Sequence, residues 1–236
     1  MEHNDLKNSY NQVGEKLYNL KDFETSHLKI SRDLFSKDSL HIKKPVPKKF
    51  EVFALLSGLP FSNGFTEKLR DIQKEISDII IDSLHYWVKP SNFGVEYCVF
   101  KWPKDKWEDN KHNTVKNSIL KISESTFNYN IIGVQINPDG CVVAKGYDQF
   151  SSIYKIRNYL KLEIEFLPKQ QSSWAHIPLG RILEPVGTEK FKKLKSYISG
   201  ISNKNIAEDN IDSIKYVHEQ QWYMEQKSVL LNCSLN

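Results

Sequence analysis

Apolar positions recur loosely at helical spacing in the first part of the chain, where polar and charged residues otherwise predominate. Leu17 and Leu20 belong to one such set and residues 28–35 contain another, so the pattern predicts one or two helices. Lysines and two prolines follow over residues 43–49, and proline ends a helix because it lacks the backbone N–H. We therefore predict an N-terminal helical segment with its linker over residues 1–46. A phosphate-binding patch is the alternative interpretation of the lysines.

From residue 47 to residue 236, strand-like and helix-like patterns alternate. Runs of β-branched and aromatic residues predict strands, and apolar residues three and four apart predict helices. The predicted strands cover residues 50–56, 95–100, 130–136, 141–147, 174–181, 213–219 and 227–235. The predicted helices begin at Thr66, as an N-cap, and at Thr114, Ser151 and Thr188; His85 is placed at the end of the first of these helices.

The turn sequence Asn137-Pro138-Asp139-Gly140 joins two of the predicted strands and indicates a hairpin. A hairpin makes its two strands antiparallel, so the alternation of strands and helices does not describe a doubly wound parallel sheet. The predicted fold class is α+β.

Composition narrows the class of protein. The 236 residues are 39% hydrophobic and 26% charged, which is typical of a globular chain that forms one large domain or two packed lobes. A net charge of +4 would tolerate a phosphate-bearing partner without requiring one.

Several classes of site and location are not indicated. Cys98, Cys141 and Cys233 are odd in number and lie in apolar contexts, which predicts buried thiols in a reducing compartment. The sequence contains no glycine-rich phosphate loop, dinucleotide fingerprint or zinc-ligand spacing, so we expect no cofactor and no metal. It also has no apolar run of about 18 residues and no secretory leader. We expect a cytoplasmic protein with no membrane contact.

The order of four motifs between residues 50 and 236 resembles the 2H phosphoesterase superfamily, which includes RNA 2′,3′-cyclic phosphodiesterases and 2′-5′ RNA ligase-like proteins. The first motif is the opening strand with its helix, and the second is the hairpin with Val143-Ala144-Lys145-Gly146. The third, His176-Ile177-Pro178-Leu179-Gly180-Arg181, is similar to the family pattern His-x-Thr-Leu-x-Arg. The fourth is the closing pair that runs from Tyr216-Val217-His218-Glu219 to Val229-Leu230-Leu231.

This resemblance implies two pseudo-symmetric lobes of antiparallel or mixed sheet, with helices outside and one cleft between the lobes. In the family each lobe presents a His-x-Thr/Ser strand to the cleft. Here Gly94 stands where the first histidine is expected and Glu96 where the first hydroxyl is expected. Pro178 replaces the second hydroxyl, and only His176 matches a family histidine.

The family mechanism explains why these departures matter. One imidazole acts as a general base and the other protonates the leaving oxygen, while the two hydroxyls bind phosphate oxygens. A single positioned acid or base is worth roughly 10²–10⁴-fold in rate. We therefore expect any cyclic phosphodiesterase activity to be weakened or lost.

The resemblance assigns the candidate site residues. His176 is the candidate catalytic group, with a satisfied core histidine as the alternative. Glu96, Arg181 and His218 are candidate substrate-binding residues. Glu96 would share a strand face with Gly94 and could act as a base, although its charge would repel a phosphate. Arg181 would face away from His176 in a regular strand, whereas a bulge at Pro178 would change that direction.

Two functions remain open from the sequence. The first is a domain that binds, and if active hydrolyses, a nucleotide or RNA-end phosphodiester in the cleft. The alternative is a non-catalytic ligand- or protein-binding domain on the same scaffold, with residues 1–46 as the element that contacts a protein partner.

Overall fold

The computed structural model of the chain describes residues 3–236. Three helices precede the first strand: α1 (His3–Gly14), α2 (Thr25–Arg32) and α3 (Lys37–His41). Four more lie between the strands: α4 (Asn63–Ile79), α5 (Asn110–Leu120), α6 (Ser152–Glu163) and α7 (Thr188–Ile201). The strands are β1 (Lys49–Gly58), β2 (His85–Trp87), β3 (Gly94–Lys101), β4 (Phe127–Ile136), β5 (Cys141–Asp148), β6 (Ile177–Ile182), β7 (Asn205–Ile211), β8 (Ser213–Gln221) and β9 (Gln226–Ser234).

The strands form two sheets. The first has four strands in the order β3-β1-β8-β9, and the second has five in the order β2-β6-β5-β4-β7. Neighbouring strands are antiparallel in both sheets. The fold class is therefore α+β, as the hairpin signal predicted. The predicted hairpin is formed by β4 and β5, which are joined by the turn at residues 137–140.

Burial along the strands and helices follows their position. Strand β5 lies inside its sheet and every residue in it is buried, whereas β9 is an edge strand with many exposed residues. Helix α4 buries Phe65, Leu69, Ile72 and Ile76, whose spacing of four, three and four places them on one side of the helix. That side faces the core because burying apolar surface stabilises the fold.

The N-terminal helices and the residues between them belong to the same hydrophobic core as the sheets. Tyr10, Leu17, Leu28 and Phe35 are fully buried in that core. The hydroxyl of Tyr10 also donates a hydrogen bond to the backbone oxygen of Gly146 in the middle of β5, at 3.3 Å. The helices before β1 are therefore packed into the fold, while the boundary of residues 1–46 as a separate unit stays a prediction.

Two local predictions about secondary structure were wrong, and one strand was missed. Helix α4 begins at Asn63 after Ser62, so Thr66 is not its N-cap and instead donates hydrogen bonds to the backbone oxygens of Ser62 and Asn63. His85 lies in strand β2, which pairs with β6. Strand β7 was not predicted, because its sequence is rich in Asn, Asp and Glu, which are uncommon in strands.

None of the described helices combines the length and the apolar character that crossing a membrane requires.

Candidate functional site

A cavity of about 320 Å³ is lined by residues of both sheets. Strands β1, β3 and β8 contribute Leu56, Gly94, Glu96 and Glu219, and strands β5 and β6, with the residue just before β6, contribute Cys141, His176, Pro178 and Arg181. The structure therefore brings together His176, Glu96 and Arg181, three of the four residues that the sequence singled out.

Strand β3 presents Gly94 and Glu96 to the cavity, because residues two apart in a strand share a face. Gly94 has no side chain, so Glu96 is the only chemical group of this pair that can reach a ligand. Burial raises the pKa of Glu96 to about 7, although the positive charge of Arg157 opposes the rise. The carboxyl group is therefore close to half-protonated at neutral pH.

A bulge in β6 decides where Arg181 points. Gly180 pairs with Val142 and Pro178 pairs with Val143, so Leu179 has no partner on β5. One extra residue reverses the alternation of side chains, and Arg181 therefore faces the same cavity as Pro178. The expectation for a regular strand, in which Arg181 faces away from His176, is corrected by this bulge.

The extra residue of the bulge is held by hydrogen bonds from outside the strand pair. The backbone oxygen of Leu179 accepts a hydrogen bond from the N–H of Val88 at 2.9 Å and from Nε2 of Gln73 at 2.8 Å. Gln73 is a buried residue of α4. These two donors satisfy a backbone group that the β5–β6 ladder leaves unpaired.

The guanidinium of Arg181 is largely occupied by protein groups. Its Nη1 donates to Oδ2 of Asp139 at 2.7 Å and to the hydroxyl of Ser31 at 2.9 Å, and its Nε donates to the hydroxyl of Tyr223 at 2.8 Å. Among the described residues, none accepts a hydrogen bond from its Nη2. The ion pair with Asp139 leaves this cation partly neutralised.

His176 is held as a neutral imidazole. Burial and the positive charges of Arg157 and Arg181 lower its pKa to about 4. Its Nδ1 is buried and has no hydrogen-bond partner among the described residues. A base with such a low pKa is a weak acceptor for the proton of a hydroxyl or water near neutral pH.

The sequence analysis missed two residues that shape the site. Arg157 of α6 donates from Nε to the backbone oxygen of Tyr97 and from Nη2 to the backbone oxygens of Glu96 and Trp174, so it joins β3 to the approach of β6. The sequence contained one sign of this role. Arg157 lies on the side of α6 where apolar residues recur, one residue after the buried Ile156.

Glu219 is the second missed residue. It is 6% exposed and lines the cavity, and its Oε1 accepts the N–H of Met224 at 3.0 Å. Burial raises its pKa to about 8 against the lowering effect of the Met224 N–H, and the neighbouring Glu96 adds to the rise. It is therefore mostly protonated at neutral pH.

The structure places His218 away from the cavity, which corrects the expectation that it approaches the cleft. Side chains alternate along β8, so Glu219 faces the cavity and His218 faces the opposite side of the sheet. There its ring lies 4.6 Å from that of Phe53, measured between centroids, and its Nε2 is 3.2 Å from a carboxylate oxygen of Glu51.

Apolar side chains form the rest of the cavity wall. The α2 region contributes Ile30 and Leu34, and the short 3₁₀ helix after β8 contributes Trp222, Tyr223 and Met224. A pocket with apolar walls and a few converging polar groups is typical of small-molecule and nucleotide sites.

Comparison with known proteins supports the fold. No protein-family model and no curated protein matches the sequence. TT0787 of Thermus thermophilus is similar, with a TM-score of 0.59 and 13% identity, and the match covers 78% of this chain and 97% of TT0787. E. coli LigT in its apo form has a TM-score of 0.56 and 8% identity, with 80% of this chain and 99% of LigT covered. ATU0111 of Agrobacterium tumefaciens has a TM-score of 0.58 and 12% identity, with 78% of this chain and 86% of ATU0111 covered. LigT has also been solved in complexes with phosphate, 3′-AMP and ATP.

These matches show that the chain shares its fold with TT0787, LigT and ATU0111, which confirms the predicted α+β arrangement. The matches include nearly all of TT0787 and LigT and most of ATU0111, whereas about a fifth of this chain lies outside each match.

Proposed function

We propose that the chain binds a nucleotide or the phosphate end of an RNA in the cavity between its two sheets. One observation carries the proposal: His176 and Arg181, the residues that match the second family motif, line one cavity with Glu96. The cavity lies on a fold that LigT shares, and LigT has been solved with phosphate, 3′-AMP and ATP.

The polar groups of the cavity suit an anion only in part. Nη2 of Arg181 is free to donate a hydrogen bond to a phosphate oxygen, and a protonated Glu219 is a second donor. An ionised Glu96 or Glu219 would instead repel the phosphate. Binding should therefore strengthen as the pH falls below the raised pKa values of the two carboxyl groups. The aromatic rings of Trp222 and Tyr223 offer surface for a base or ribose.

We further propose that hydrolysis is strongly weakened or lost, so that the chain acts mainly as a binding protein. The family reaction uses two imidazoles near neutral pKa, whereas here one position is Gly94 and the remaining His176 has a pKa of about 4. Glu96, with a pKa of about 7, is the group best matched to proton exchange near neutral pH. Any residual turnover should therefore depend on Glu96 as well as His176.

The binding proposal is tested by isothermal titration calorimetry with 3′-AMP, ATP and 2′,3′-cyclic AMP on the wild type and His176→Ala. We expect at least one ligand to bind the wild type, with affinity reduced about tenfold, or about 1.4 kcal/mol, by His176→Ala. His27→Ala is the matched control, because His27 is exposed and lies outside the cavity. Absence of binding by the wild type for all three ligands would contradict the proposal.

The proposal that hydrolysis is weakened or lost is tested by measuring hydrolysis of 2′,3′-cyclic AMP. The assay uses the same proteins and a further variant, Glu96→Gln. We expect little turnover by the wild type and a further loss in each cavity variant. Turnover at the level of an intact two-histidine phosphodiesterase would show that another pair of groups carries the reaction.

A further inference from the structure

A second, larger cavity lies on the N-terminal helices, outside the site described above. It measures about 570 Å³ and is bounded by α2, α3 and the chain just before β1. We call it the basic groove, because its lining includes Lys29, Arg32, Lys37, His41 and Lys48. Thr25 and Ser26 also line it, and Phe35 and Leu40 are its apolar residues.

The positive charge of the basic groove is not compensated locally. Asp33 is the single acidic residue that lines it among the residues the structure describes. Within residues 3–236, no carboxylate forms an ion pair with any of the four lysine and arginine side chains of the groove, Lys29, Arg32, Lys37 and Lys48. Nearby Lys43, by contrast, is paired with Glu184 at 3.7 Å. The groove lining thus carries four basic side chains without an ion-pair partner and one acidic residue.

Two of these cations are held in place by backbone groups. Nη1 of Arg32 donates to the backbone oxygen of Leu183 at 2.7 Å, and Nζ of Lys48 donates to the backbone oxygen of Asp33 at 2.6 Å. These contacts orient the side chains without neutralising their charge. Lys29 and Lys37 complete the basic lining.

Helix α2 and the residues after it separate the basic groove from the cavity between the sheets. Ile30 and Leu34 line that cavity, whereas Lys29 and Arg32 line the groove. Ser31, between them, binds Arg181 of the cavity. Because a helix is about 10–12 Å wide with its side chains, the cavity and the groove lie about that far apart across α2.

We propose that the basic groove binds the phosphate backbone of a single-stranded nucleic acid whose terminal nucleotide occupies the cavity. This inference rests on the proposed function and adds to it a second site, the basic groove, for the backbone of a polynucleotide ligand. Cations in a groove that tracks a backbone are the usual means of binding single strands, and each contact releases a counterion.

The test is fluorescence anisotropy with a labelled twelve-nucleotide RNA and a labelled dinucleotide, titrated at several salt concentrations. The groove variant is Lys29→Gln/Lys37→Gln/Lys48→Gln. The control variant is Lys68→Gln/Lys74→Gln/Lys193→Gln, which removes the same charge from exposed positions on α4 and α7. A single-stranded DNA of the same length and a polyglutamate peptide of equal charge serve as competitors.

We expect the wild type to bind the longer RNA about tenfold or more tightly than the dinucleotide. Each phosphate contact contributes roughly −0.7 to the slope of log K against log salt for single strands, so losing three cations should flatten the slope by about 2. The groove variant should also lose about tenfold in RNA affinity at moderate salt, while the control variant and the binding of 3′-AMP to the groove variant stay unchanged.

Other results would overturn the inference. The groove would not be a nucleic-acid site if the two RNA lengths bound with equal affinity, or if the groove and control variants lost equal amounts of RNA affinity. Binding of 3′-AMP would still support the proposed function in either case. Polyglutamate competing as well as RNA would assign the groove to an acidic protein segment instead. Groove-dependent RNA binding without 3′-AMP binding would support the groove and refute the cavity as the site of the terminal nucleotide.

Discussion

At the scale of single residues, burial reduces the ordinary charges of the cavity. Free glutamate is ionised at neutral pH, and free histidine is partly protonated slightly below it. In the cavity, desolvation raises the pKa of Glu96 to about 7 and that of Glu219 to about 8, and it lowers the pKa of His176 to about 4. The cavity therefore carries less charge of either sign than its composition indicates.

The pKa of Glu219 predicts a pH dependence of stability. The raised value means that the folded chain holds this proton more tightly than the unfolded chain does. The stability that it contributes is fully present below about pH 4.5 and is lost as the pH rises through about 8. Glu219→Gln removes the titration but can still accept the N–H of Met224. We expect the variant to be more stable than the wild type at pH 8 by about 1–3 kcal/mol.

Urea unfolding of both proteins between pH 5 and pH 8 measures this difference. Exposed Glu163 of α6 provides the control, and Glu163→Gln should follow the wild-type pH profile. Parallel profiles for Glu219→Gln and the wild type would contradict the assigned burial effect.

At this scale the sequence predicted which residues belong to the site better than it predicted where their side chains point. The motif indicated His176, and strand alternation placed Glu96 beside Gly94, both on the cavity. Alternation along β8 puts one of His218 and Glu219 in the cavity, but the sequence does not show which. The direction of Arg181 depended on a bulge that is defined only by pairing with β5.

At the scale of elements, strand β5 is the centre of the five-stranded sheet, and close approach of backbones shapes its surroundings. Gly146 lies against the backbone oxygen of Ala175 and the hydroxyl of Tyr129. That hydroxyl donates a hydrogen bond to the same Ala175 oxygen at 2.8 Å, one residue before His176. The chain that carries His176 is therefore positioned by β4 and β5.

We expect Gly146→Ala to destabilise the protein strongly, because the added Cβ would overlap backbone and a fixed hydroxyl. Overpacking of this kind typically costs about 1–3 kcal/mol and sometimes more. Gly200→Ala is the matched control, since a Cβ there meets no atom within 4 Å and alanine favours helix α7. Thermal unfolding should show a lowered midpoint for the first variant and an unchanged or raised one for the second. A tolerated Gly146→Ala would mean that the strand can shift outward.

Elements with a strong pattern were predicted well, and short or polar ones were not. The hairpin of β4 and β5 carries apolar strand residues and a clear turn signal. Strand β2 has three residues, and β7 is largely polar. Both lie at edges of the sheet, where pairing with a neighbour rather than burial defines the strand.

At the scale of the whole molecule, the N-terminal helices complete the core and one wall of the cavity. Phe35 is fully buried, and its ring lies 5.1 Å from that of Tyr86 and 6.1 Å from that of Tyr223, measured between centroids. Tyr86 belongs to β2, and Tyr223 binds Arg181. Phe35 thus joins the N-terminal segment to residues that shape the site.

We expect Phe35→Ala to destabilise the entire fold by about 3–5 kcal/mol, as is usual for a buried phenylalanine. Ile42→Ala is the control, because Ile42 is 63% exposed and surface substitutions change stability by about 0.5 kcal/mol or less. Denaturant unfolding followed by fluorescence and by circular dichroism should give one coincident transition for each protein. Two separate transitions would instead support residues 1–46 as an independently folding unit.

The sequence by itself determined the α+β class, the main strands and helices, and the motif that contains His176, because these depend on periodicity and local turn chemistry. Only the tertiary structure decided which charged groups meet in the cavity, since a bulge, a strand face and an N-terminal helix from distant parts of the chain converge there. Burial then set the protonation of Glu96, Glu219 and His176, and desolvation is a property of the packed molecule that no local pattern records.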